Sequence, residues 1–215
     1  MTGTTITKFT EMENSHILLY DNYFTDEVSD NYFNYLKKEI NWKQESMFMY
    51  GKKLNFARLT AWYGEKGKQY SFSGITLKPE SWENDKILME ILKELIFETG
   101  IEYNSVLLNY YRNGKDSISW HSDNEKELGE NPSIASVSFG CDRVFKMRRY
   151  SDKSNVHNII LKHGSVLLMD GETQHHWQHM IPKIKLKTKK HELGLFNQKI
   201  EYGTERINLT FRKIN

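Results

Sequence analysis

Apolar residues recur every four positions from Val28 through Tyr32 and Leu36 to Ile40, with Thr25, Asp26 and Glu27 just ahead of them. That spacing predicts an amphipathic helix over about 26–40, N-capped by Thr25, with the acidic pair in the turn where the helix dipole favours negative charge. A second stripe, Leu88, Ile91, Leu92 and Leu95, lies between Pro79 and Gly100. It predicts a helix over about 80–99 that opens near the proline and stops where glycine can adopt a left-handed cap. Beyond Gly100 the period changes to two. Alternating runs at 106–111, 134–139, 144–147, 158–161, 165–169 and 206–212 predict strands. Strands at this spacing behind two helices describe a mainly β, α+β fold, a sandwich or jelly roll with helices packed on one face.

Composition narrows this picture. The 215 residues contain no Gly-, Ser- or Pro-rich divide, so a single domain over 1–215 with one sizeable core is expected. No apolar run reaches the roughly 18 residues of a membrane span, and Met1 to Thr10 lack a basic-then-apolar leader pattern. The expectation is an intracellular monomer with no membrane partner, cytoplasmic in a bacterium and nuclear in a eukaryote. Cys141 is the only cysteine, which leaves no internal disulfide and no cysteine-based zinc site. A metal must therefore rest on histidine and carboxylate.

The formal net charge of +2 is too mild to name a partner. Its distribution is more informative. Lys183, Lys185, Lys187, Lys189 and Lys190 form one basic run. A looser group, Lys52, Lys53, Arg58, Lys66 and Lys68, is interleaved with Tyr50, Phe56, Trp62, Tyr63, Tyr70 and Phe72. Cations between aromatic rings suit a ligand that offers both phosphate and base.

The segment Trp120-His-Ser-Asp123 sets His121 and Asp123 two residues apart, and on a strand both would face one side. A second histidine would complete two imidazoles and one carboxylate, the ligand set of non-haem iron(II) oxygenases. The candidates are His157, His163, His175, His176, His179 and His191. On the last strand Ile207, Leu209 and Phe211 face one way, while Arg206, Asn208, Thr210 and Arg212 face the other. Two guanidinium groups with two neutral hydrogen-bonding residues match a dicarboxylate. The two arginines are six residues apart, about 20 Å along an extended strand, and either could make the principal pair. Asn109 and Tyr111 form a further same-face pair able to bind the acid.

Five ordered segments carry a resemblance: Leu108-Asn-Tyr-Tyr-Arg112, Trp120-His-Ser-Asp-Asn-Glu125, Ile134-Ala-Ser-Val-Ser-Phe-Gly140, Trp177-Gln-His179 and Arg206-Ile-Asn-Leu-Thr-Phe-Arg212. From about residue 50 onward the chain resembles the AlkB-type dioxygenases, nearest their eukaryotic-type DNA-repair branch. The resemblance implies a double-stranded β-helix, itself a jelly roll, over about 103–215, and a nucleotide-recognition lid over about 45–78. It implies that His121, Asp123 and His179 bind iron(II), His179 being selected because the family's distal ligand follows an aromatic residue by two positions. Asn109, Tyr111, Arg206, Asn208, Thr210 and Arg212 map onto the family's 2-oxoglutarate site, and O2 is the second cosubstrate.

Upstream, Tyr50-Gly-Lys52, Arg58, Trp62-Tyr-Gly64 and Tyr70-Ser-Phe-Ser-Gly74 resemble the lid, whose rings stack on an extruded base. The implied substrate contacts are Tyr50, Gly51, Lys52, Arg58, Trp62, Tyr70, Ser71, Phe72, Asn124 and Glu125, with Tyr50 filling the gap left in a duplex. Two positions depart from the family. Ala57 replaces a common proline, and Asn124 replaces a common acid, which shifts a hydrogen bond to the base onto Glu125. The implied reaction is oxidative dealkylation of 1-methyladenine- and 3-methylcytosine-type lesions in DNA, releasing formaldehyde and succinate. The alternatives are the same chemistry on RNA, protein or a small metabolite, a non-catalytic nucleic-acid-binding module, and a jelly-roll isomerase or sugar-binding protein.

Overall fold

A computed structural model describes residues 4–49, 51–67, 70–72, 75–77, 79–184 and 204–215. In chain order β1 (Thr5–Lys8) and β2 (His16–Asp21) precede α1 (Asp26–Glu39), followed by β3 (Ser46–Met49), β4 (Lys52–Asn55) and β5 (Leu59–Gly64). Then come β6 (Tyr70–Phe72), β7 (Ile75–Leu77), β8 (Glu80–Ser81), α2 (Lys86–Thr99), β9 (Ser105–Tyr111) and β10 (Ile118–His121). The last third holds β11 (Ile134–Gly140), β12 (Arg143–Arg149), β13 (Val156–Leu161), β14 (Ser165–Asp170), the helical turn α3 (Thr173–His176), β15 (Trp177–Ile181) and β16 (Arg206–Arg212).

An eight-stranded sheet runs β1-β2-β14-β11-β16-β9-β5-β8, and a four-stranded sheet runs β10-β15-β12-β13. The hairpins β3–β4 and β6–β7 stand apart from both. Phe33 and Leu36 of α1 and Leu88, Ile91, Leu92 and Leu95 of α2 share one cluster with Val106, Leu108, Val137, Phe139, Ile207, Leu209 and Phe211. The helices thus cover one face of the large sheet. A second cluster joins Tyr111, Ile134, Leu167 and Met169 of that sheet to Phe145, Met147, Ile159, Leu161, Trp177 and Ile181 of the smaller one. Two sheets closed on each other, with helices outside, make the expected jelly roll. Among the described residues no helix is long and apolar enough to cross a membrane.

Local chemistry explains both helices and one departure. Thr25 Oγ1 accepts from the Val28 N–H at 3.2 Å, and Gly100 caps α2 at φ 69°. However, α2 begins at Lys86, not near residue 80. Glu80 and Ser81 pair in parallel with Tyr63 and Gly64 of β5, and Asp85 Oδ1 accepts from the Leu88 N–H at 3.0 Å. A side-chain cap of this kind stabilises a helix start by about 1 kcal/mol. The strands also do not begin after Gly100, because β2 and β5 supply the large sheet from the N-terminal half. Gly140, at φ +91°, is required by a close approach: a Cβ there would lie 2.6 Å from Glu205 O. The chain entering β16 packs against it, and Arg206 follows directly.

Candidate active site

His121 and His179 are cross-strand partners in the antiparallel β10–β15 pair. Directly opposed residues project to the same face, and the two rings have centroids 4.2 Å apart. Asp123 is not on the strand, since β10 ends at His121. Its N–H donates to Gln174 Oε1 at 3.0 Å, and its Oδ2 accepts from Arg212 Nη2 at 2.9 Å. These two bonds turn the carboxylate inward where strand alternation cannot. One donor atom from each of His121, Asp123 and His179 lies within 4.8 Å of the others.

The histidine environments suit metal binding. His121 Nδ1 lies 2.8 Å from Ser119 O, and a carbonyl only accepts, so Nδ1 carries the proton and the Nε2 lone pair faces Asp123 Oδ1 at 3.9 Å. The His179 ring stacks on Phe145 at 5.1 Å, and its Nδ1 is buried without a hydrogen-bond partner among the described residues. Burial pushes His179 down to about 3, helped by the charges of His121 and Arg212 and opposed by Asp123. Burial would raise the Asp123 carboxyl, but Arg212, His179 and His121 hold it well below the usual carboxylate range. Neutral imidazoles beside an ionised carboxylate are the protonation states a divalent cation needs. Two nitrogens and one oxygen on one side leave open coordination positions, so the donor set fits iron(II).

The other candidate histidines among the described residues are engaged elsewhere. His157 contacts Asn155, His163 bridges Gly140 N–H and Asp30, and His176 lies 3.6 Å from Glu172. His175 Nε2 bonds Glu130 O and Asn131 Oδ1. His191 lies outside the described residues, as do Lys185, Lys187, Lys189 and Lys190 of the basic run.

Beside the triad, a cavity of about 550 Å³ receives Arg206, Asn208, Thr210 and Arg212 from β16 and Asn109 and Tyr111 from β9. Asn109 lies opposite Asn208 and Tyr111 opposite Arg206 in the β9–β16 register. Asn208 Nδ2 donates to Ser136 Oγ at 2.8 Å and Val137 O at 3.0 Å, and Thr210 Oγ1 donates to Asn208 Oδ1 at 3.1 Å. Arg212 is neutralised by Asp123. Arg206 is different: it is 1% exposed, its Nη2 donates to Ser138 Oγ at 2.9 Å, and its Nε and Nη1 have no partner among the described residues. Burial pushes its guanidinium down to about 10.

Of the residues expected to meet substrate, Arg58 and Glu125 line the cavity. Arg58 is buried, donates from Nε to Asn109 Oδ1 at 2.6 Å and lies over the Phe56 ring at 4.8 Å. Gly51 and Lys52 are exposed on the β3–β4 hairpin, and Asn124 is exposed outside the cavity lining. Trp62 is buried in a cluster with Phe56, Leu107, Leu128 and Ile214, where it serves as packing and not as an open stacking face. Tyr70, Ser71 and Phe72 lie on β6, and Tyr50 lies outside the described residues.

Sequence reasoning missed Gln174, whose buried amide holds the Asp123 backbone, and Arg143, buried behind Tyr111. Nothing in either local pattern marks them. Gln174 sits in a helical turn too short to show a period, and Arg143 opens a strand like any surface cation.

The profile of the 2OG-Fe(II) oxygenase superfamily matches residues 16–212. Alpha-ketoglutarate-dependent dioxygenase alkB homolog 3 of Bos taurus is 39% identical over 212 residues, which cover 93% of this chain and 66% of the relative. The chain therefore spans just under two thirds of that relative's length. DNA oxidative demethylase ALKBH2 of Homo sapiens is 35% identical over 210 residues, covering 93% of this chain and 72% of the relative. The solved structure described as "The structure of OsALKBH1" matches 97% of this chain and 100% of its own with a TM-score of 0.66 at 18% identity, a likeness of fold alone. Because the profile covers residues 16–212 and these relatives, 35–39% identical, match 93% of the chain, the chain belongs to the 2OG-Fe(II) oxygenase superfamily, in its AlkB-type branch.

Proposed function

We propose that this protein uses iron(II), 2-oxoglutarate and O2 to dealkylate N-alkylated bases in nucleic acid, DNA before RNA. The observation that carries the cosubstrate reading is Arg206, a buried guanidinium whose Nε and Nη1 find no hydrogen-bond partner among the described residues, in the cavity that His121, Asp123 and His179 also line. Burying such a cation is costly until an anion pairs with it. A dicarboxylate meets that need with its far carboxylate on Arg206 while its other end reaches the triad.

When bound, iron(II) would be held by His121, Asp123 and His179 and would supply, with 2-oxoglutarate and O2, the oxidising power to remove an N-linked methyl group as formaldehyde. The chain's residues do the rest. Arg212 fixes the Asp123 carboxylate, and Ser119 fixes the His121 tautomer. Arg58 and Glu125 are the polar groups that meet an extruded base, and the apolar Met47, Leu54 and Phe56 help to exclude water around it. Arg148 lies 4.4 Å over the cavity-lining Trp120, an arrangement suited to a ligand with both phosphate and a π-face.

The test supplies iron(II), ascorbate and 2-oxoglutarate with single- and double-stranded oligonucleotides bearing 1-methyladenine or 3-methylcytosine. Formaldehyde and restored bases are expected. Cosubstrate turnover stimulated by methylated RNA but not DNA would move the assignment to RNA, and turnover unaffected by either would remove the nucleic-acid reading. Lys52 and Lys53, exposed on the β3–β4 hairpin, are proposed phosphate contacts. Changing both to alanine is expected to weaken oligonucleotide binding whatever the sequence, and to lower the slope of log affinity against log salt by up to about 2. An unchanged slope in a salt titration would detach the hairpin from the substrate.

A further inference from the structure

Arg143 enters from the first position of β12, in the small sheet, yet its guanidinium carbon lies 5.2 Å from the centroid of the Tyr111 ring in the large one. Arg206 lies over the same ring at 5.3 Å. Both arginines are 1% exposed. Arg143 Nη2 donates to Asp116 O at 2.8 Å and Pro182 O at 2.6 Å, joining the loop before β10 to the segment after β15. Its Nη1 is buried without a partner among the described residues.

The acids near this pair are committed to other cations. The Asp116 carboxylate grips Arg112, from Nε at 2.8 Å and Nη2 at 3.0 Å. Glu205 binds Lys37 at 2.8 Å and the Tyr110 hydroxyl. Among the described residues, therefore, two buried guanidinium groups lie against one aromatic ring with no carboxylate hydrogen-bonded to either. Like charges so held repel, and that cost is relieved when an anion arrives between or beside them.

We propose that Arg143 is a positioning residue for the cosubstrate: it fixes the Tyr111 ring against Arg206 and adds a second positive charge behind the far carboxylate of a bound dicarboxylate. Arg143 does not line the cavity, so it acts through Tyr111 and through its field, and it selects ligands that are charged at both ends. This rests on the 2-oxoglutarate reading above.

The experiment measures, by calorimetry, binding of 2-oxoglutarate and of 2-oxopentanoate, which lacks the far carboxylate, to manganese(II)-loaded wild type, Arg143→Gln and Arg143→Lys. Glutamine keeps a donor for the two carbonyls and removes the charge. Lysine keeps the charge and lacks the planar guanidinium that lies against the Tyr111 ring. Arg143→Gln is expected to lose about tenfold in 2-oxoglutarate affinity with 2-oxopentanoate unchanged, and Arg143→Lys about threefold. Equal weakening of both ligands would make Arg143 a structural residue only, and wild-type affinity in either variant would overturn the proposal. Should Arg143→Gln fail to fold, the Arg143→Lys ratio of the two affinities carries the test. If wild type itself binds neither acid, it is the cosubstrate reading that fails.

Discussion

Alanine at His121, Asp123 or His179 is expected to abolish turnover and to release the metal. Each supplies one of three donors gathered within 4.8 Å, and among the described residues no further His, Cys, Asp or Glu joins that group. The Asp123 change does further damage, because Arg212, which now pairs with its carboxylate at 2.9 Å, would be left as a buried cation. Breaking a buried pair from one side typically costs about 3–5 kcal/mol. His175→Ala and His176→Ala are expected to keep the metal, since their rings bond Glu130 O and face Glu172. Metal content after gel filtration, read beside formaldehyde release, checks both halves. Metal lost from His176→Ala and kept by His179→Ala would refute the ligand assignment.

How much of this was legible in the chain differs between elements. The strand at 206–212 was readable residue by residue, because a period of two with chemically opposite faces needs no tertiary information: its apolar face meets the helices and its polar face meets the cavity. The cap at Gly100 was readable for a similar local reason. Residues 80–85 were not. The backbone of Glu80 and Ser81 pairs with β5, a contact between distant parts of the chain that overrides helical propensity, and Asp85 caps the helix only after it. The histidine and carboxylate were found by their spacing, but the reason offered, two positions on one strand, fails at Asp123. What turns that carboxylate inward is Gln174 and Arg212, from elements 51 and 89 residues away. The choice of His179 among six histidines is geometric, set by its register against His121, and composition carries no trace of register. Trp62 was misread because alternation on β5 gives an aromatic ring equal claim to a core and to a stacking face, and only the packing of Phe56, Leu107 and Leu128 decides.

Arg206 and Arg212 look equivalent in the sequence, and the structure separates them. Arg206→Lys is expected to raise the 2-oxoglutarate requirement roughly ten- to a hundredfold, because a charge-assisted hydrogen bond is worth about 1.5–3 kcal/mol and an ammonium cannot reproduce the fork. Metal affinity should be unchanged, since Arg206 bonds Ser138 Oγ and touches no member of the triad. Arg206→Ala should cost more, about 2–5 kcal/mol, because it strands the buried carboxylate of the ligand. Arg212→Lys is expected to behave in the opposite sense. Its guanidinium holds the Asp123 carboxylate from 2.9 Å, so its loss loosens a metal donor first and the cosubstrate only in consequence. Metal retention against a chelator, measured beside the 2-oxoglutarate dependence of turnover, distinguishes the two. If Arg206→Lys loosened metal and Arg212→Lys shifted only the cosubstrate requirement, the division of labour along β16 would be the reverse of the one its hydrogen bonds describe.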